Sequence, residues 1–140
     1  MLCIATLGLT TSCSKDDSKG NSAAIVGKWK CTYAGVESVR YDENGDVERE
    51  NNHEDTESVG QVWEFTEDGY FLLDGVQRLK YTINGKELIF TRPDGSGSMS
   101  GSFTIDEITG EIMTLVYVFD DRSSSGAGEY MKETYEFRKM

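Results

Sequence analysis

The chain has 140 residues, enough for one domain with a core of its own. A formal charge of −11, from 25 acidic and 14 basic side chains, argues against binding to nucleic-acid phosphates or anionic lipid surfaces. Two of the three cysteines lie at the extreme N-terminus; if that leader is removed and Cys13 modified, Cys31 stands alone and a disulfide framework is excluded.

Residues 1–12 carry no charge and hold an apolar run from Leu2 to Leu9. The run is too short for a bilayer span of about 20 residues and suits the apolar region of a secretory signal, although a basic leader segment is missing. Leu9-Thr10-Thr11-Ser12-Cys13 resembles a bacterial lipobox, with Thr10 where Leu is usual. The resemblance implies a signal peptide cleaved before Cys13 and a lipid on Cys13. Residues 13–23 are polar and turn-rich, which predicts a flexible tether. Lys15-Asp16-Asp17 resembles the surface-export signal of Bacteroides-type lipoproteins, implying an outer-membrane lipoprotein of a Gram-negative bacterium that is exposed at the cell surface.

The domain, residues 24–140, opens with Ile25-Val-Gly-Lys-Trp-Lys-Cys-Thr-Tyr33. Its alternation predicts a half-buried strand with Ile25, Gly27, Trp29, Cys31 and Tyr33 on one face. In a small barrel Gly27 lets such a strand coil tightly and Trp29 plugs one end. Cys31 reads as a buried apolar filler. Val36–Tyr41 continues the chain, and Asn44-Gly45 between strand-like residues predicts a hairpin turn. Asp42, Asn44 and Asp46 imitate the start of a calcium loop, but Val47 stands where that loop needs Gly and His53 where it needs Glu. No metal site is expected. Residues 48–58 have no apolar face and predict a mobile loop or a solvated strand end, with the lone His53 inside it.

Regular strand signals follow. Trp63 and Phe65 share one face, Glu67-Asp68-Gly69 turns the chain into Tyr70–Leu73, and Asp74-Gly75 turns it again. Leu79, Tyr81 and Ile83 form the next inward set, closed by Asn84-Gly85, and Leu88–Thr91 comes next. Residues 92–102 and 120–128 are expected to form flexible loops around the strands Phe103–Asp106 and Ile112–Phe119. Tyr130–Arg138 closes the chain, with Met131, Tyr135 and Phe137 on one face. About eight to ten short strands in sequential hairpins predict an all-β, antiparallel up-and-down barrel, with an open β-sandwich as the alternative.

The motifs together resemble the lipocalin-like lipoproteins of Bacteroides-type bacteria, within the calycin group of small barrels. Gly27-Lys28-Trp29 matches the Gly-x-Trp of their first strand. Trp63-Glu-Phe-Thr-Glu-Asp-Gly-Tyr-Phe71 matches their Trp-x-Phe-x-x-Asp-Gly-x-Phe hairpin. Residues 81–88 and 103–110 match the strand-and-turn units that follow, so the resemblance spans residues 24–140. It implies a basic residue of the last strand over the tryptophan, here Arg138, completing a structural plug with Gly27 and Trp29. By alternation Arg138 faces away from Phe137, so a bend at the strand end has to bring it over the ring.

These residues bear on three kinds of function. A barrel of this size holds either its own side chains or one small ligand. The expected inward residues Tyr33, Trp63, Phe65, Phe71, Tyr81, Phe90, Tyr117 and Tyr135 offer aromatic contact and hydroxyl orientation to a small apolar or amphipathic ligand. Trp29, Phe103, Phe119 and Phe137 join them in the inward set. The alternative is a surface interaction module with a packed interior, acting through its loops. Catalysis is not expected, because the lone His53 and Cys31 lack placed partners and no carboxylate pair stands out. No cofactor is implied, and no nucleic acid.

Overall fold

The structure is a computed structural model, and it describes residues 14–97 and 102–140. The expected signal peptide and the lipidation site Cys13 lie outside those residues. A helix α1 (Ser14–Ile25) leads into the strands β1 (Gly27–Tyr41), β2 (Val47–Glu54), β3 (Val62–Phe65), β4 (Tyr70–Leu73) and β5 (Val76–Asn84). After them come β6 (Glu87–Thr91), β7 (Ser102–Ile108), β8 (Ile112–Asp120) and β9 (Gly128–Lys139). All pairings are antiparallel, in the order β2-β1-β3-β4-β5-β6-β7-β8-β9, and β1 also pairs with β9. That last pairing closes an eight-stranded barrel, so the open sandwich is set aside.

The long strand β1 is what distinguishes this barrel. Its Gly27–Lys30 segment pairs with β3, while Gly35–Tyr41 pairs with β2 on the same edge. Its other edge is paired with β9 from Trp29 to Tyr41. The strands β2 and β3 are therefore successive pieces of one arm, interrupted at residues 55–61. There the chain stays attached to β1 by Asp55 N–H to Ala34 O (2.8 Å) and Gly60 N–H to Cys31 O (2.8 Å). Only the β3 piece continues into the barrel. The β2 piece, with the upper halves of β1, β9 and β8, rises beyond it as a sheet extension.

Residues 48–58, expected as a loop or solvated strand end, thus include most of a fully exposed edge strand. Its charge is an accepted way to protect an open sheet edge from further pairing. At the tip, Asp42 Oδ1 accepts from the Asn44 and Asp46 amides (2.9 and 3.0 Å), which makes residues 42–46 the expected hairpin turn.

One end of the barrel is sealed. Ile25 and Trp29 are fully buried, and the Trp29 indole N–H donates to Ile25 O at 2.8 Å. The helix α1 stands where sequence composition predicts a tether, and Ile25, expected on the first strand, is its last residue. Ala23 and Ala24 favour helix, but tertiary contacts hold it. Asn21 Nδ2 donates to Gly85 O (2.9 Å), and Lys139 Nζ donates to Val26 O (2.7 Å) and, more weakly, to Ala24 O (3.5 Å). The helix carries no basic residue in its last turn, so Lys139 supplies the positive charge its C-terminal carbonyls favour.

The basic lid over Trp29 is Lys139, whose Nζ lies 4.5 Å from the ring centroid. This corrects the assignment to Arg138, which is exposed and pairs with Lys30 and Ile112 across the sheet. The strand runs regularly to its end, so no bend brings Arg138 inward. Gly27 lies against the same lysine: its φ is +128°, and a Cβ there would stand 2.7 Å from Lys139 Cε.

Candidate ligand-binding site at the open end of the barrel

Most of the expected inward rings form one packed column. Phe65 is fully buried, and Trp63, Phe71, Tyr81 and Phe90 keep 8% or less of their surface exposed. Trp63 lies 5.2 Å from Phe71 and 4.9 Å from Phe137, while Phe65 lies 5.0 Å from Tyr81 and Phe71 5.0 Å from Phe90 (centroid distances). These separations and their tilted or edge-on angles are those of rings packed on each other. The Tyr81 hydroxyl donates to Thr66 O at 2.6 Å, so it serves the β3–β4 turn. These five residues are the barrel's filling before they are anything else.

Tyr33 is a correction. It was expected inside, yet it is 39% exposed on the outer surface. Cys31 pairs with Phe137 and Tyr33 with Glu136, leaving Thr32 as the extra residue of a β-bulge. The bulge shifts the alternation by one, so Ala34 takes the inward place opposite Tyr135. The Tyr33 ring folds back over Gly35, where a Cβ would collide with its hydroxyl oxygen. Cys31 remains inside as expected; burial pushes its thiol up, and its Sγ–H donates to Tyr33 O at 3.4 Å. A thiol so placed is held neutral and is a poor nucleophile.

Tyr117 and Tyr135 sit differently from the packed rings. Both are half-buried at the open end, together with Phe103, Leu73 and Leu79. Phe103 lies 4.8 Å from Tyr117 and 6.5 Å from Tyr135, and Tyr135 lies 5.4 Å above Trp63. The Tyr135 hydroxyl donates to Glu133 Oε1. Burial first, and then the neighbouring Glu133 carboxylate, raise the Tyr135 phenol well above its ordinary value.

From this rim the inward face runs on up the extension. Tyr117 opposes Glu133, Glu133 opposes Val36, and Val36 opposes His53. One row higher stand Phe119, Met131, Ser38 and Asn51, and above them Glu129, Arg40 and Arg49. A depression of about 460 Å³ lies along this upper part, lined by Ser38, Arg40, Arg49, Glu50, Asn51 and Glu129. The surface changes from aromatic on β8 to hydrogen-bonding on β2. It can receive a molecule with one apolar and one polar side.

His53 is exposed on β2, and among the described residues no three His, Cys, Asp or Glu side chains converge as a metal set. Sequence reasoning missed Lys139, Glu133 and the two arginines of β1 and β2. A basic residue next to Arg138 was visible, but the strand's exact end was not. The arginines fell in segments whose partner strand could not be read from the chain. In comparisons with known proteins, no family model, no curated protein and no solved structure matches the chain significantly.

Proposed function

We propose that this chain is a non-enzymatic binding protein of the bacterial cell envelope, held to the outer membrane through a lipid on Cys13. Its barrel is a packed scaffold, and a small amphipathic ligand binds at the open end. The observation that carries this reading is the contrast among the rings. Trp63, Phe65, Phe71, Tyr81 and Phe90 are consumed by mutual packing, whereas Tyr117 and Tyr135 keep part of their surface at the rim. Half-buried aromatic side chains with a polar tip suit an amphipathic guest. The lipid anchor and the surface address rest on the sequence of residues 9–17.

A second reading is an interaction module that works through the extension. It is favoured by the free edge of β2, whose eight residues are all exposed. Native mass spectrometry of the full chain, after exposure to a membrane lipid and metabolite extract, separates the two. A reproducible added mass that disappears in Tyr117→Ala, with unchanged secondary structure, supports ligand binding. Absence of any added mass moves the function to the extension.

A further inference from the structure

The upper inward row of the extension contains an arrangement that folding alone does not favour. Arg40 on β1 and Arg49 on β2 stand directly opposite each other, in a chain with only 14 basic residues against 25 acidic ones. Directly opposed side chains in an antiparallel pair have Cβ atoms about 4.5–5.5 Å apart, and like charges so placed repel. Arg40 has compensation: its Nε lies 3.3 Å from Glu48 Oε2, and Glu129 opposes it on β9. Arg49 has none, since among the described residues no carboxylate forms an ion pair with it. Both arginines line the same depression as Ser38 and Asn51. The row immediately below continues from Ser38 to Met131 and Phe119, both half-buried.

We infer that Arg49, assisted by Arg40, binds the carboxylate of a small amphipathic monoanion whose apolar body lies along Met131 and Phe119 toward Tyr117. This deepens the open-end binding reading and rests on it. A guanidinium offers two parallel N–H donors that match a carboxylate, and the bound anion removes the repulsion between the two arginines. The Asn51 amide is a further donor beside them. Glu50 and Glu129 line the same depression and act against a second negative charge on the ligand. Two rows of about 7 Å each along the strands separate the Arg49 level from that of Tyr117, so the apolar body spans several carbons.

Calorimetric titration of the full chain with dodecanoate and with dodecanol, below micelle-forming concentrations and at fixed ionic strength, tests the assignment. Dodecanoate is expected to bind at least about tenfold more tightly than the alcohol, the size of effect one charge-assisted bidentate contact gives. Arg49→Gln should abolish that preference. Lys86→Gln, an exposed change of equal charge in the β5–β6 turn at the sealed end, should leave it intact. Equal binding of the two probes, or a preference that survives Arg49→Gln, overturns the carboxylate site and leaves open-end binding standing. Binding of neither probe also overturns it, and the Tyr117→Ala extract experiment then judges the broader reading independently.

Discussion

Lys139, the last residue of the last strand, holds its ammonium over the buried Trp29 ring of the first strand and donates to Val26 O at 2.7 Å. One side chain thereby ties together both edges of the barrel closure and the end of α1. Replacing it with Met keeps the apolar stem but removes the cation–π contact and the charged hydrogen bond. Each is worth about 2 kcal/mol when shielded from water, and part is recovered by solvent, so a loss of about 2–3 kcal/mol is expected. Denaturant unfolding followed by tryptophan fluorescence measures it. Arg138→Gln, one residue earlier and exposed, should stay within about 0.5 kcal/mol of the parent. If the two variants behave alike, the lid has been assigned to the wrong residue.

Gly27 lies beneath the same lysine, and its substitution probes backbone and packing together. With φ at +128° an Ala is strained whatever space it has, and its Cβ would press against Lys139 Cε. Gly27→Ala is expected to cost about 1–3 kcal/mol, the scale of a residue held in a sparsely populated backbone region. The double variant Gly27→Ala, Lys139→Ala removes the side-chain clash but keeps the backbone strain. It should therefore still be less stable than Lys139→Ala alone. Equal stability of those two proteins would mean that only the lysine, and not the backbone, requires glycine here.

Much of this molecule is legible along the chain, and the failures have specific causes. The packed rings from Trp63 to Phe137 follow from alternation, because each half-buried strand must place every second residue inside. Tyr33 fails the same arithmetic since the bulge at Thr32 adds a residue to β1 alone, and nothing in Cys-Thr-Tyr marks it. The strand β2 was hard to see because all of its residues are exposed, leaving no apolar periodicity to detect. The helix α1 is set by contacts from Gly85 and Lys139, more than 60 residues away in sequence. The sequence-predicted site divides along the same line. Inwardness was readable, but the distinction between packed Phe65 and half-buried Tyr135 depends on how far each strand rises, which only the pairing register reveals.

Tyr135 and Tyr81 give an alkaline signature. Burial, aided by Glu133 at Tyr135 and Asp68 at Tyr81, raises both phenols above their ordinary value near 10. A group whose value is raised by folding adds stability that is fully present below its unfolded value and lost as pH climbs beyond it. Both should form phenolate only above that ordinary value in an ultraviolet-monitored titration, and the barrel should lose stability as pH rises past about 10. Tyr135→Phe should remove one late-titrating group and reduce that alkaline loss. Ionisation of Tyr135 and Tyr81 at the ordinary phenol value in the folded protein would contradict the burial of these hydroxyls.

Asp120 and Arg122 set the acid limit of the extension tip. Arg122 Nε and Nη2 donate to the two Asp120 carboxylate oxygens at 2.9 and 2.6 Å, and its guanidinium lies over the Tyr41 and Tyr130 rings at 5.2 and 5.6 Å. The loop so clamped rests on the β1–β2 turn, where a Cβ on Gly126 would come within 3.1 Å of Gly45 Cα. Chiefly through the hydrogen bonds from the Arg122 side chain, the Asp120 carboxyl is held down to about 2 from an ordinary 3.8. A depressed carboxyl stabilises above its unfolded value and loses that contribution as pH falls through its folded one. The clamp should therefore be intact at pH 4 and above and open toward about pH 2. Ring-proton NMR signals of Tyr41 and Tyr130 should shift together over that interval. Asp120→Asn should leave their chemical shifts at neutral pH near those of the acid form, because the amide lacks the charge that fixes the guanidinium over the rings. Movement of these signals with a midpoint near 4, or no response to the substitution, would show that the rings are held by something other than this ion pair.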